Sequence, residues 1–255
     1  MKKNLSYKEI SLILDYLAGR LSSKPTAVDG IYNVPKPIMK ELKSQHYPNK
    51  PLQKVSDHIG YFLGILRSIK VNYVQKSVGG TWLTLYDEVI SDFDHLESAG
   101  LYKIKGYDHS EIYLFQKQRY KIEHVLAVLA HEYAHHYLYL KNIVKEKQWA
   151  NELMTDIAAV YLGLGKLLYK GYRPIKWTSD YVYYGTQIQY KTNKIEIGYI
   201  SQATIRKAIL LSALRRNWKP IEVASIFPAI GTKIWMFIIY NFIKLFSKSK
   251  ENKQV

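Results

Sequence analysis

His131-Glu132-Tyr133-Ala134-His135, within residues 120–140, decides how the rest of the chain is read. Histidines at i and i+4 lie one helical turn apart on one face, so two imidazoles can reach the same ion. The glutamate after the first histidine sits about 100° further round the helix, beside an ion but not on it. That is where a general base for an activated water belongs. The plain alternative is a surface helix with two solvated histidines. The flanking residues favour burial. Ile122, Leu126, Leu129, Tyr133, His136 and Leu140 form one stripe at helical spacing, and Val128 and Leu138 flank the histidines on the other side. This describes a helix held between two layers.

A third ligand is expected from Asn151-Glu152-Leu153-Met154-Thr155-Asp156, where Glu152 follows His135 by seventeen residues. Glu152 and Asp156 are again at i and i+4. Catalytic zinc usually takes three protein ligands and leaves a position for water, so Glu152 completes a His/His/Glu set. Asp156, one turn on, can accept the remaining ring N–H of a ligating histidine. The competing account is an acidic pair facing the positive end of a helix dipole. Asn142 and the polar residues 145–148 allow the chain to turn back between the two helices.

This combination resembles the gluzincin pattern of zinc metallopeptidases. The size of the chain and the extended segments leading into the zinc helix are most similar to the compact ImmA/IrrE-type metallopeptidases. The resemblance spans residues 101–168. It implies that His131, His135 and Glu152 bind one zinc ion, that Glu132 is the catalytic base and that Asp156 supports a ligand. The activity implied is hydrolysis of a peptide or protein substrate. The fold implied is α+β, mainly helical and zincin-like, with a small antiparallel sheet beside the zinc helix. The alternative function is a non-catalytic zinc module that binds a protein or nucleic acid.

The wider sequence bounds these expectations. At 255 residues and 47% hydrophobic content, the chain can bury a sizeable core as one domain. It divides into a Pro-containing helical region over residues 1–50, a zincin-like core over 51–200 and a helical region with a basic tail over 201–255. Without cysteine there is neither a disulfide framework nor a cysteine zinc site. Glu9 and Asp15 interrupt the first apolar residues, so no signal peptide is read and a cytoplasmic location is expected. The formal net charge of +16 favours an anionic partner, a nucleic acid or a membrane surface, although a solvated lysine-rich surface explains it equally well.

Other stretches carry lesser expectations. Residues 5–21 and 51–69 have helical spacing, with Leu66 on the second stripe and His58 partly buried. Residues 69–74 and 81–86 read as strands around a Gly79-Gly80 turn. The acidic group Asp87, Glu88, Asp92 and Asp94 lacks calcium-loop spacing. Residues 101–105 and 111–115 read as a hairpin. Ile112, Tyr113, Leu114 and Phe115 are the candidate strand for binding an extended substrate backbone, as edge strands do in the resembling peptidases, with a purely structural hairpin as the competing account. His124, about 10 Å along the helix from His131, is a cleft or structural residue. Tyr199 is a candidate to stabilise an oxyanion, as are the tyrosines of residues 176–190. Ser201 caps a helix over 202–216. Its start looks like a DNA-reading helix, but the extended residues before it argue against a helix-turn-helix. Residues 232–246 are the most apolar stretch, bounded by Lys233 and Lys244 and too short to span a bilayer. They read as a core or partner-docking helix, or as an interfacial helix with a basic tail.

Overall fold

The computed structural model describes residues 2–22, 24–45, 48–76, 82–83, 99–105, 110–116, 119–143, 147–184 and 187–251. The first helix starts at a capping box. The Ser6 hydroxyl accepts from the Glu9 N–H and the Glu9 carboxylate accepts from the Ser6 N–H, which satisfies two donors left over at the start of α1 (Tyr7–Arg20). α2 (Lys36–Ser44) and α3 (Asn49–Leu63) follow. α3 ends earlier than its apolar spacing predicts because Gly64 turns left-handed, with φ 77°. Leu66 consequently lies outside the helix and fully exposed, and His58 is exposed with its ring edge-on to Tyr32.

Strands β1 (Lys70–Lys76), β2 (Trp82–Leu83), β3 (Gly100–Ile104) and β4 (Ser110–Phe115) form a four-stranded sheet in the order β2-β1-β4-β3. The β3–β4 hairpin is antiparallel as expected, but β1 and β4 are parallel. The sheet is therefore mixed, not antiparallel. Alternating hydrophobicity encodes which face a strand buries and says nothing of its neighbour's direction. A parallel pair needs a connection of a dozen or more residues, and residues 77–109 supply it. Gly79, Gly80, the Asp87–Asp94 acidic group and most of the strand expected over 81–86 lie outside the described residues.

α4 (Ile122–Leu140) carries the histidine motif and runs through the centre of the fold. Fourteen of its nineteen residues are buried. β3, β4, α3, α5 and α6 pack around it. Tyr133 fastens it to α3, its hydroxyl donating to the Ser56 carbonyl at 2.7 Å and lying 2.6 Å from the Ser56 hydroxyl. Asn142 turns the chain with φ 53°, and α5 (Gln148–Ala159) returns along α4.

A π turn (Val160–Leu164) joins α5 to α6 (Gly165–Gly171), at the point where two glycines interrupt the helical pattern. Gly163 has φ 93°, and a Cβ there would stand 2.5 Å from the Gly30 carbonyl oxygen. Both its torsion and its packing exclude a side chain. Gly163→Ala is expected to lower unfolding free energy by about 1–3 kcal/mol, measured as a lower denaturation midpoint in urea at unchanged slope.

A separate antiparallel pair, β5 (Ile175–Tyr184) and β6 (Gln187–Ile195), leads to α7 (Gln202–Arg215). The tyrosines at 181, 183, 184 and 190 sit on this pair, but their side chains lie outside the described residues. Ser201 caps α7 by accepting from the Thr204 N–H. Since α7 follows a strand, the helix-turn-helix reading falls. α8 (Pro220–Ser225) and α9 (Ile230–Glu251) complete the chain. Among the described residues no helix is long and apolar enough to cross a membrane. The architecture is mainly helical α+β.

Candidate metal centre

α5 presents Glu152, Thr155 and Asp156 to α4 from consecutive turns of one face, and each meets a histidine. His131 Nε2 and His135 Nε2 are 3.1 Å apart, and Glu152 Oε2 is 3.0 Å from both. Donors on a tetrahedral zinc-like ion with bonds of about 2.0–2.1 Å stand about 3.3 Å apart. The three atoms are thus spaced as ligands of one small cation, and a His-His-Glu group of this kind can hold a metal ion.

The outer nitrogens support the same arrangement. His131 Nδ1 is 2.8 Å from Asp156 Oδ1, which also accepts from the Tyr172 hydroxyl, and Asp156 Oδ2 accepts from the Tyr199 N–H at 2.9 Å. Asp156 is wholly buried, and its charge is held by these three donors. The Thr155 hydroxyl donates to the Asn151 carbonyl at 2.8 Å and accepts from His135 Nδ1 at 3.2 Å. With a metal bound, each histidine would keep its proton on Nδ1 and give the Nε2 lone pair to the ion, the tautomer a metal ligand requires.

The bare side chains are strongly coupled. Burial disfavours a charged His131, but Asp156 and Glu152, one at each ring nitrogen, outweigh it and raise its pKa to about 10. Burial likewise acts to raise Glu152, yet its bonds to the two histidines prevail and lower it to about 2. A cation entering this cluster must displace a proton from His131. Adding zinc to metal-free protein at neutral pH is therefore expected to release protons, and affinity should rise with pH. Titration in weakly buffered solution with a pH indicator measures both.

Glu132 is buried and lines the same cavity, of about 480 Å3, as His131, His135, Glu152 and Tyr199. Its carboxylate accepts from the Tyr102 backbone N–H, and burial raises its pKa. β3 passes so close that a Cβ on Gly100 would lie 2.7 Å from Glu132 Oε1 and 2.3 Å from Val128 Cγ1. Glycine at this position lets the strand reach the carboxylate. Tyr199 stacks on the His131 ring at 5.6 Å between centroids, and its hydroxyl bonds to Glu152. Its carbonyl accepts from the Lys3 N–H, which pins the segment from the N-terminal side.

One expectation is corrected, and for His124 the structural reading holds over the cleft reading. Ile112, Tyr113, Leu114 and Phe115 are buried in β4, which is bonded to β1 on one side and β3 on the other. A strand paired on both edges cannot take up a substrate backbone. β3 is the strand beside the cavity, lined there by Gly100, Leu101 and Tyr102. Alternation marked both arms of the hairpin alike and could not tell edge from interior. His124 does not line the cavity. It is buried at the start of α4, where Nδ1 accepts from the Lys121 N–H and the ring stacks on Tyr120.

Sequence reading missed Thr155, Tyr172, Tyr102 and Gly100. Thr155 was findable, being i+3 from Glu152 on the same face. Tyr172, Tyr102 and Gly100 reach the site only through tertiary packing. Compared with known protein families, curated proteins and solved structures, the chain matches none.

Proposed function

We propose that the chain is a zinc-dependent metallopeptidase of the zincin class, akin to gluzincins and most like the compact ImmA/IrrE-type enzymes. The observation that carries this reading is the convergence of His131, His135 and Glu152 within 3.1 Å of one another, with the Glu132 carboxylate in the same cavity. Two imidazoles and a carboxylate form the donor set of hydrolytic zinc sites with a position left for water. When bound there, zinc supplies Lewis acidity and lowers the pKa of water toward about 7.

The chain's own residues account for the rest of the chemistry. Glu132 takes a proton from the attacking water and passes it to the leaving amine, so one carboxylate serves both halves of the reaction. The Tyr102 N–H keeps that carboxylate in place. Tyr199 offers a hydroxyl at the cavity wall, suited to steady the negative oxygen of the tetrahedral intermediate. β3 is the strand along which an extended substrate backbone would lie, and strand addition suits protein substrates because it demands little of their sequence. The absence of cysteine fits a reducing cytoplasm.

The test is cleavage of a fluorescently labelled unfolded protein. Wild-type chain is expected to cleave it, a chelator to stop cleavage and added zinc to restore it. Glu152→Ala should lose both activity and bound metal, the latter measured by elemental analysis. Metal-loaded chain without cleavage would favour the non-catalytic module, and unchanged metal content in Glu152→Ala would remove Glu152 as a ligand.

A further inference from the structure

Helix α9 is apolar on both of its sides. Met236 and Tyr240 are buried against the fold, and the Tyr240 hydroxyl donates to the Trp218 carbonyl at 2.6 Å. The opposite side faces out: Ile230, Ile234 and Ile238 form a ridge at i, i+4 and i+8, with Trp235 and Phe242 beside it. These five residues are between 55% and 74% exposed. An ordinary surface helix turns charge outward, so a continuous apolar ridge marks a binding face.

A second feature is a concentration of lysines. A cavity of about 650 Å3 is lined by Lys36, Lys40 and Lys43 of α2 and by Lys166 and Lys170 of α6, with Glu123 the one acid among the described residues of its wall. Lys166 donates to Asn33, and among the described residues none of the five lysines has a salt-bridge partner. Lys233, on α9, lies near enough to Lys166 for the two charges to act on each other. Burial first, then the nearby charges of Lys170 and Lys233, make Lys166 harder to protonate. Helical spacing sets Lys233, Phe237 and Lys244 along one flank of α9, between its buried side and the ridge.

An occupant must satisfy an apolar ridge and a concentration of positive charge at once. A second copy of the chain would bring its own lysines against these. A nucleic acid offers phosphates but nothing for Ile234 and Ile238 to enter. The surface of an anionic bilayer offers both phosphate headgroups and an acyl boundary within one layer. The geometry points to α9 lying in the plane of an anionic phospholipid surface, with its isoleucine ridge in the acyl boundary and the lysine cavity against lipid phosphates. This assignment is independent of the peptidase reading.

Flotation of the full chain with vesicles tests it. Vesicles of phosphatidylcholine and phosphatidylglycerol in equal parts should carry the protein, vesicles of phosphatidylcholine alone should not, and high salt should release it. Ile234→Ser with Ile238→Ser is expected to weaken binding by at least about tenfold through lost apolar burial. Lys36→Gln, Lys40→Gln and Lys43→Gln together should weaken it roughly a hundredfold, at about one kcal/mol per cation. All five positions are on the surface, and circular dichroism checks that the fold persists. Failure to float with the anionic vesicles, equal flotation with both compositions, or binding untouched by the serine pair would overturn the assignment. So would a stable dimer in sedimentation that the serine pair dissociates.

Discussion

Glu132→Gln is expected to lower peptide hydrolysis by on the order of 10²–10⁴-fold, with zinc content and thermal stability unchanged. The substitution isolates one property. Glutamine keeps the length and shape of glutamate, and its amide oxygen can still accept from the Tyr102 N–H that holds the native carboxylate. It cannot take a proton. Because the candidate ligands are His131, His135 and Glu152, metal affinity does not depend on this side chain. A drop in activity with the metal retained is therefore the signature of a general base. Activity within a factor of a few of wild type would remove Glu132 from that role. Loss of metal together with activity would show that Glu132 serves the coordination or the fold. Alanine is the poorer probe, because it opens a void beside Gly100, which lies against the Glu132 side chain.

How much of this centre was legible in the sequence depends on the range of each interaction. His131, His135 and Glu132 share one helix, so the spacing along the chain carries their geometry. Glu152, Thr155 and Asp156 share a second helix, and their positions relative to each other were equally readable. That the two helices meet was inferred from a turn at Asn142 and a ligand count, and the donor distances bear out that convergence. The strand order was beyond such reasoning. β3 and β4 have the same alternation, and their roles differ because β1 lies parallel on one side of β4. That pairing joins residues some forty positions apart in sequence, Lys70 with Glu111 at its start. The Tyr172 side chain, and the tie between the Tyr199 backbone and Asp156, escaped for the same reason. The two contacts with Asp156 span sixteen and forty-three residues, and no local period records them.

Helix ends behaved more predictably where a side chain or a glycine set them. Ser6 with Glu9, and Ser201 with Thr204, start helices where capping rules put them. α3 stopped at Gly64 against an apolar pattern that continued to Leu66, since a left-handed glycine ends a helix whatever hydrophobic residues follow. At α9 the apolar spacing read correctly as a helix but not as one with two apolar sides. Hydrophobicity states a preference for burial, and only the fold shows that Ile234 and Ile238 have been left without it.

Asp156→Asn is expected to weaken zinc binding by about 10–100-fold while the chain remains folded. In the native arrangement the carboxylate meets three donors, His131 Nδ1–H, the Tyr172 hydroxyl and the Tyr199 N–H, and it is wholly buried. Asparagine supplies one acceptor oxygen and one donor nitrogen. Whichever way the amide turns, it sets its NH2 against an N–H: that of His131 in one orientation, that of Tyr199 in the other. The first orientation removes the hydrogen bond that fixes the His131 tautomer. The second frees the backbone that carries Tyr199. In both, the loss of the negative charge lowers the basicity of His131 as a ligand. Asp156→Ala removes all three bonds and leaves buried donors that cost about 1–3 kcal/mol each, so that variant reports on folding instead of coordination. Tyr172→Phe supplies the contrast, since it deletes one donor to the same oxygen and leaves the charge in place. Competition with a chromophoric chelator ranks the affinities, and the expected order is wild type, Tyr172→Phe, Asp156→Asn. If Asp156→Asn binds zinc as tightly as wild type, the hydrogen bond to His131 is incidental to the metal. Asp156 would then be only a structural tie between α5, Tyr172 and the segment before α7.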